Sequence, residues 1–235
     1  MIDFSKVTVG LTQAFDCNYL TTKKEQLLVI RDSRCHTDLV YEQLMARGFR
    51  RSGNEIYRPH CPGCQACQSI RIPVAAYKPS RSQKRVINKG KRTFSATHTD
   101  EPDKDSYALY EKYINLRHSD GSMYPSSVEQ YDGFLFCEWL DTLFINLWHK
   151  DKLVAVAVTD VLPNALSAIY TFFDPDYEHY SLGSFSLINQ IEACKTLKKD
   201  YLYLGYQIDG CQKMNYKTKY KPYQRLIRAQ WTNFE

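Results

Sequence analysis

One stretch, Lys152–Lys217, limits the folds open to this chain more than any other. Val154, Val156 and Val158 alternate with small residues, as a strand with a packed face would. A Leu162-Pro163-Asn164 turn separates them from a second apolar run, Leu166–Phe173, which Asp174-Pro175 ends. Ser181 is placed to be an N-cap, with Gly183 and Ser184 in the first helical turn. Leu187, Ile188, Ile191 and Leu197 give that helix an apolar face, and Lys195, Lys198 and Lys199 suit its C-terminal end. Tyr201–Tyr206 then alternates as a third strand. A hairpin, a helix and a strand in this order set exposed backbone N–H groups beside strand ends. That is a place for an anionic or acyl ligand.

The rest of the chain reads as mixed α and β. Leu27–Arg31 is a short strand, and Asp38–Arg47 a helix with Leu39, Leu44 and Met45 inward and Gly48 as its stop. A Ser52-Gly53-Asn54 turn makes Phe49–Tyr57 a hairpin, and Ser69–Val74 is another strand. Asp103–Arg117 and Ser126–Phe136 read as helices, and Leu143–Trp148 as a strand. These elements divide into an N-terminal lobe (1–77), a basic connector (78–102) and a larger lobe (103–235). With 43% hydrophobic residues in 235, each lobe can hold a core. The first residues lack a basic and then apolar leader pattern, and no apolar run is long enough to span a bilayer. The expectation is a cytoplasmic protein without a membrane partner.

Charge is unevenly placed. From Lys78 to His98 there are seven Lys or Arg and no acid, and from Gly210 to Phe234 six and again no acid. Tyr216, Tyr220, Tyr223 and Trp231 interleave the second stretch. Basic, aromatic-laced, acid-free stretches suit a polyanion such as RNA.

Eight cysteines in a cytoplasmic chain point to metal ligands, reactive groups or buried small hydrophobes rather than disulfides. Cys61, Cys64 and Cys67 form a C-x-x-C-x-x-C loop, whose spacing lets neighbouring thiolates reach one metal. Cys17 is the first choice for a fourth ligand, before Cys35, His36 and His60. Zinc, an iron–sulfur cluster and reduced, metal-free thiols all stay open. Cys137, Cys194 and Cys211 read as packing residues.

Tyr57-x-Pro59-x-Cys61-x-x-Cys64, Ile70-Arg71 and Ser80-x-Ser82-Gln83-Lys84-Arg85 resemble the N-terminal part of the arginyl-tRNA–protein transferase superfamily. Asp160-x-Leu162-Pro163, Leu166–Phe172, Asp174-Pro175, Ser181-Leu182-Gly183, Tyr203–Tyr206 and Lys213-Met214-x-Tyr216-Lys217 resemble its C-terminal part, in the same order. The length and the three-Cys loop are most similar to the bacterial branch, the aspartate/glutamate leucyltransferases. The resemblance implies an α+β fold: a GNAT-like (acyl-CoA N-acyltransferase-like) catalytic lobe, and a smaller α+β N-terminal lobe carrying the Cys-rich loop. It implies transfer of leucine from leucyl-tRNA, the co-substrate, to proteins with N-terminal Asp or Glu, for degradation through an adaptor of the Clp protease. It implies no organic cofactor, and an iron–sulfur cluster or zinc on Cys17, Cys61, Cys64 and Cys67. Phe185 stands where acetyl-CoA enzymes of this kind carry a small residue, which argues for a tRNA end over CoA. Arginyl-tRNA as donor, acetyl-CoA as donor, and a non-catalytic RNA-binding module are the alternatives.

An aminoacyl ester is already activated, so the reaction needs positioning, removal of an amine proton and support for a developing oxyanion. Asp174 is the candidate to hold or deprotonate the acceptor α-amine, and Tyr170 and Tyr206 to donate to the carbonyl or ribose. A carboxylate-gripping fork favours Arg, which selects Arg71 and Arg85, with Lys89 behind them, for the acidic N-terminus. Ser181, Gly183 and Ser184 at the helix start, with Lys213, Lys217 and Lys219, are the expected tRNA contacts.

Overall fold

A computed structural model describes residues 2–121 and 123–235 of the chain. The elements before the cysteine loop are β1 (Val9–Leu11), β2 (Phe15–Asp16), β3 (Lys24–Glu25), β4 (Leu27–Ile30), α1 (Asp38–Ala46), β5 (Arg50–Ser52) and β6 (Glu55–Pro59). After it come β7 (Gln68–Pro73), α2 (Arg81–Thr93), β8 (Ser95–Thr99), α3 (Ser106–Arg117), α4 (Val128–Leu135), β9 (Thr142–His149), β10 (Lys152–Val161), β11 (Ala165–Phe173), α5 (Leu182–Thr196), β12 (Tyr201–Gln207), β13 (Tyr223–Ile227) and β14 (Gln230–Phe234). The strands form a four-stranded sheet, β1-β4-β6-β5, an eight-stranded sheet, β14-β13-β7-β12-β11-β10-β9-β8, and the small β2–β3 pair. In the large sheet β11 and β12 pair in parallel and the other neighbours are antiparallel.

The expected division at Tyr77 is not a boundary in the fold. β7, placed by sequence in the N-terminal lobe, lies inside the large sheet between β13 and β12. The basic stretch Arg81–Arg92, read from sequence as a connector or a helix laid on a surface, is the helix: α2, with Ser80 and Gln83 forming a reciprocal capping box, followed by the edge strand β8. The reason is pairing: β7 has the apolar alternation of a central strand, with Ile70 and Ile72 fully buried, and must be flanked on both sides.

Helices cover both faces of the large sheet. On one face α5 buries Leu187, Ile188 and Ile191 against Ile145, Ala157 and Leu202. α2 packs on α5 at Gly90, where a Cβ would stand 2.5 Å from the Phe185 ring. On the other face α3 and α4 bring Tyr110, Tyr113, Ile114 and Tyr131 against Val156, Val158 and Phe172. Beside them α1 and the four-stranded sheet place Tyr41, Leu44 and Ile56 against Leu162, Ala165 and Tyr203. Two apolar residues read as inward face out: Leu39 is 62% exposed and Leu197 45%. Leu39 opens α1, and Leu197 lies past the last residue of α5, where neither sheet reaches. Among the described residues no helix is long and apolar enough to cross a membrane.

Candidate active site

β11 and β12 stay paired for three residues, Ala165–Ser167 against Tyr201–Tyr203. Two irregularities then part them. On β11 the register with β10 shifts so that Val158 faces Tyr170 and Thr159 faces Ala168, leaving Ile169 as an extra residue. On β12 the register with β7 shifts between Tyr203 and Tyr206, and Gly205 adopts φ +78°, which a side chain would resist. β12 therefore follows β7, and a wedge opens between the C-terminal halves of two parallel strands. α5 begins beside it, with Gly183 next to the Phe173 ring. The segment after β12 folds back against it: Lys217 bonds the Tyr206 carbonyl.

Ser181 precedes α5 as expected, but in the left-handed region (φ 57°) and without a side-chain cap bond. The N–H groups of Leu182, Gly183 and Ser184 open the helix, before Phe185 N–H bonds the Ser181 carbonyl. Phe185 does not stand over this end. Its ring is buried against Gly90 and Phe94, so it obstructs no ligand, and the case it made against CoA falls.

The three expected catalytic side chains lie in three settings. Asp174 is 1% exposed. Its Oδ1 is 2.6 Å from Lys112 Nζ and accepts from Asp176 N–H, and its Oδ2 is 2.7 Å from Lys152 Nζ. Burial acts to raise its pKa, but the bonds from Lys112 and Lys152 outweigh that and hold it below the usual carboxylate value. A carboxylate so occupied does not fit the expected amine base. Tyr206 donates its phenol to the Gly48 carbonyl at 2.8 Å and faces the N-terminal sheet. Tyr170 sits among Tyr110, Tyr113 and Phe134; burial first, then the phenols of Tyr113, Tyr110 and Tyr216, raise its pKa. A cleft of about 710 Å³ runs along Lys112, His149, Lys152, Asp174 and Tyr177, and neither Tyr170 nor Tyr206 lines it.

Arg71 is stacked between Tyr201 and Trp231, 3.7 and 4.0 Å from the ring centres, and donates to Gln224 Oε1 and the Tyr203 hydroxyl. Both faces and two of its donors are in use. Arg85 is exposed on α2. Lys89, also on α2, donates to the His179 carbonyl. Lys213 reaches Asp120 at the surface and Lys219 is exposed, but Lys217 is only 6% exposed, unlike a solvated phosphate contact.

Cys17, Cys61, Cys64 and Cys67 line one cavity of about 60 Å³ with Glu25, Tyr57 and Tyr206; Cys35, His36 and His60 do not. The Sγ atoms of Cys17 and Cys61 accept from the N–H groups of Tyr19 and Gln26. Burial, followed by Cys61, Cys17 and Cys64, pushes the Cys67 thiol up to about 12. Among the described residues no three His, Cys, Asp or Glu side chains converge as a ligand set.

The residues missed from sequence are Lys112, Lys152 and Arg50. Lys112 and Lys152 look like solvated lysines until Asp174 is placed between them. The Arg50-Arg51 pair in a short hairpin strand was the available signal, because adjacent strand residues face opposite ways.

Comparison with known proteins bears on the whole chain. The family model described as arginine-tRNA-protein transferase, N terminus, matches residues 15–85, and its C-terminal counterpart matches residues 105–227. An aspartate/glutamate leucyltransferase of Pseudoalteromonas atlantica is 50% identical over 94% of this chain and 95% of its own length. That of Aeromonas salmonicida is 48% identical (97% and 95%), and that of Vibrio cholerae 46% (97% and 98%). A solved C-terminal domain of a protein described as a lysylphosphatidylglycerol synthetase, from Agrobacterium fabrum, aligns at 12% identity with a TM-score of 0.47. The alignment covers 62% of this chain and 48% of that one, too distant to bear on the argument. By both family models and by identity along nearly its full length, the chain belongs to the arginine-tRNA-protein transferase family, in its aspartate/glutamate leucyltransferase branch.

Proposed function

We propose that this chain is an aminoacyltransferase that moves leucine from leucyl-tRNA to the α-amine of proteins beginning with Asp or Glu. The wedge between β11 and β12 carries the reading: an opened parallel pair with a helix N-terminus beside it offers room and N–H donors for an acyl group. We read the surrounding part of the large sheet as a GNAT-like lobe on that ground. The free amine attacks the ester carbonyl, a C–N bond forms, the C–O bond to ribose breaks, and the amine proton passes to the ribose oxygen or to solvent. An N-terminal amine has a pKa near ~8, so about a tenth or more is free at neutral pH and no strong base is required. Backbone N–H groups of Leu182, Gly183 and Ser184 suit the developing oxyanion. The product, now beginning with Leu, suits a Clp adaptor in the cytoplasm.

The outward side of α2 carries Arg81, Lys84, Arg85, Lys89, Lys91 and Arg92, and fits the tRNA backbone. Leucyl-tRNA affinity is expected to fall about 100-fold or more between 50 and 200 mM salt. Filter binding across that range checks it, and a flat response removes α2 from the interface.

The four thiols line one cavity without converging as a ligand set; their donor chemistry, all sulfur with N–H bonds supporting two of them, is what favours a soft cation. Cys17, Cys61, Cys64 and Cys67 would hold zinc or an iron–sulfur cluster, tying the loop to β2 and β3. Such a group supplies a cross-link to the lobe. Protein purified without oxygen is expected to carry about one equivalent of metal site per chain, which Cys67→Ser loses. Elemental analysis decides, and metal-free protein with full stability refutes it.

The function is tested by offering labelled leucyl-tRNA, arginyl-tRNA or acetyl-CoA with peptides starting in Asp, Glu, Lys or Ala. Product is expected from leucyl-tRNA with Asp and Glu peptides. Product from another donor, or none, overturns the reading.

A further inference from the structure

A charge taken out of water needs a counter-charge, and among the described residues two buried cations have aromatic rings near them but no anion. Arg50 on β5 is 5% exposed and Lys217 is 6% exposed. Its neighbour Arg51 pairs with Asp160, but among the described residues neither Arg50 nor Lys217 forms an ion pair. Arg50 Nη1 and Nη2 donate to the carbonyls of Phe49 (2.7 Å) and Gly205 (3.2 Å), and its buried Nε has no partner. Lys217 Nζ donates to the next carbonyl along, that of Tyr206, at 2.5 Å, and approaches Met214 Sδ at 3.0 Å. The two cations therefore bond adjacent carbonyls of β12, at the irregularity after which it pairs with β7 and no longer with β11. After burial itself, Arg50 is the next cause holding the Lys217 ammonium down to about 7.

Other polar atoms there are also unsatisfied. Ser69 Oγ, on the β7 residue opposite Tyr206, and Gln207 Oε1 are buried without partners. Glu25 is the acid of this neighbourhood, on the cysteine cavity, and it bonds neither cation. Two cations and a hydroxyl can donate to one anion, while the Gln207 amide, one residue along the strand, turns to the other face and bonds Asn215. A side-chain carboxylate is an anion of that size.

We propose that Arg50 and Lys217 form the subsite that grips the side-chain carboxylate of the acceptor's first residue, with Ser69 as a further donor. This rests on the acidic-acceptor reading given above. The subsite lies on the β12 side of the wedge, and the start of α5 lies at the end of β11. Acceptor and acyl group would then enter the wedge from different walls. A tRNA phosphate is the other available anion. Phosphates on a duplex or acceptor stem meet exposed side chains, such as those of α2, rather than two cations beneath a chain segment. Arg71 and Arg85 lose the role expected of them, because one is stacked and bonded and the other faces solvent.

The test uses the full chain and peptides starting in Asp or Glu beside their neutral isosteres Asn and Gln. In Lys217→Met, the Asp-to-Asn ratio of kcat/KM is expected to fall by about 30-fold or more, mainly through KM for the acidic peptide. Arg50→Lys is expected to lower the same ratio. A role in folding or in balancing the cysteine thiolates would reduce both peptides alike, and an unchanged ratio overturns the proposal. So does a loss of leucyl-tRNA affinity with the ratio intact, which would mark a phosphate site. Peptide binding without tRNA separates the subsite from the reaction. In wild-type protein the Lys217 ¹³Cε resonance should move with the Asp peptide and not with the Asn peptide, whether or not leucine is transferred. A resonance indifferent to both peptides refutes the subsite by itself.

Discussion

Replacing Asp160 with Asn is expected to lower the unfolding free energy by about 3–5 kcal/mol. Asp160 and Arg51 are both fully buried, and the carboxylate takes three contacts of 2.5–3.0 Å from the guanidinium. Arg51 also donates to the Leu135 carbonyl at 2.9 Å, so one side chain binds β5, α4 and β10 together. The pair need not be better than an apolar pair of the same volume. Breaking it is costly because a buried guanidinium keeps its charge and loses its counter-ion. Urea denaturation checks this, with a lower midpoint and an unchanged slope. Arg51→Met with Asp160→Leu is the informative companion, since removing both charges should restore much of the loss. A single substitution costing under about 1 kcal/mol would mean that water reaches the pair.

Much of this arrangement could be read from the chain because its signals are local. The β10–β11 hairpin, α5 and β12 follow from a period of two, a Pro-Asn turn and then a helical period between Ser181 and Leu197. The C-x-x-C-x-x-C spacing suggests a metal site with Cys17; the fold puts the four thiols on one cavity, and spacing alone does not say whether they converge. What stayed hidden depends on pairings distant in sequence. Nothing near Ile70 says that its strand will lie between β12 and β13. Phe185 was legible as a helix residue, but its direction is set by Gly90 on another helix. Asp174 reads as a turn acid, and only the fold brings Lys112 and Lys152 to its two oxygens. Lys217 is the sharpest case. In a basic tail a lysine looks solvated, and its burial follows from the bend that Gly205 puts into β12.

That burial predicts a stability change opposite in sign to the one at Asp160. An ordinary lysine titrates near ~10.4, and Lys217 in the fold near about 7, with burial as the main cause and Arg50 second. Between those values the unfolded chain holds a proton that the folded chain has released, so this residue makes stability rise with pH across that window. Below about 7 both states are charged, and the full cost of burying the ammonium is present, on the order of 4 kcal/mol. Lys217→Met keeps the volume and drops the charge. It is expected to be more stable than the parent at pH 6, with the advantage fading between pH 7 and 10. Chemical denaturation at pH 6, 7, 8 and 9 measures the difference. The same variant should lose its preference for acidic acceptors, because a cation poised for a ligand carboxylate weakens the empty protein. If Lys217→Met is less stable than the parent at pH 6, the ammonium stabilises the fold through the Tyr206 carbonyl. The energetic case for an anion subsite would then fail.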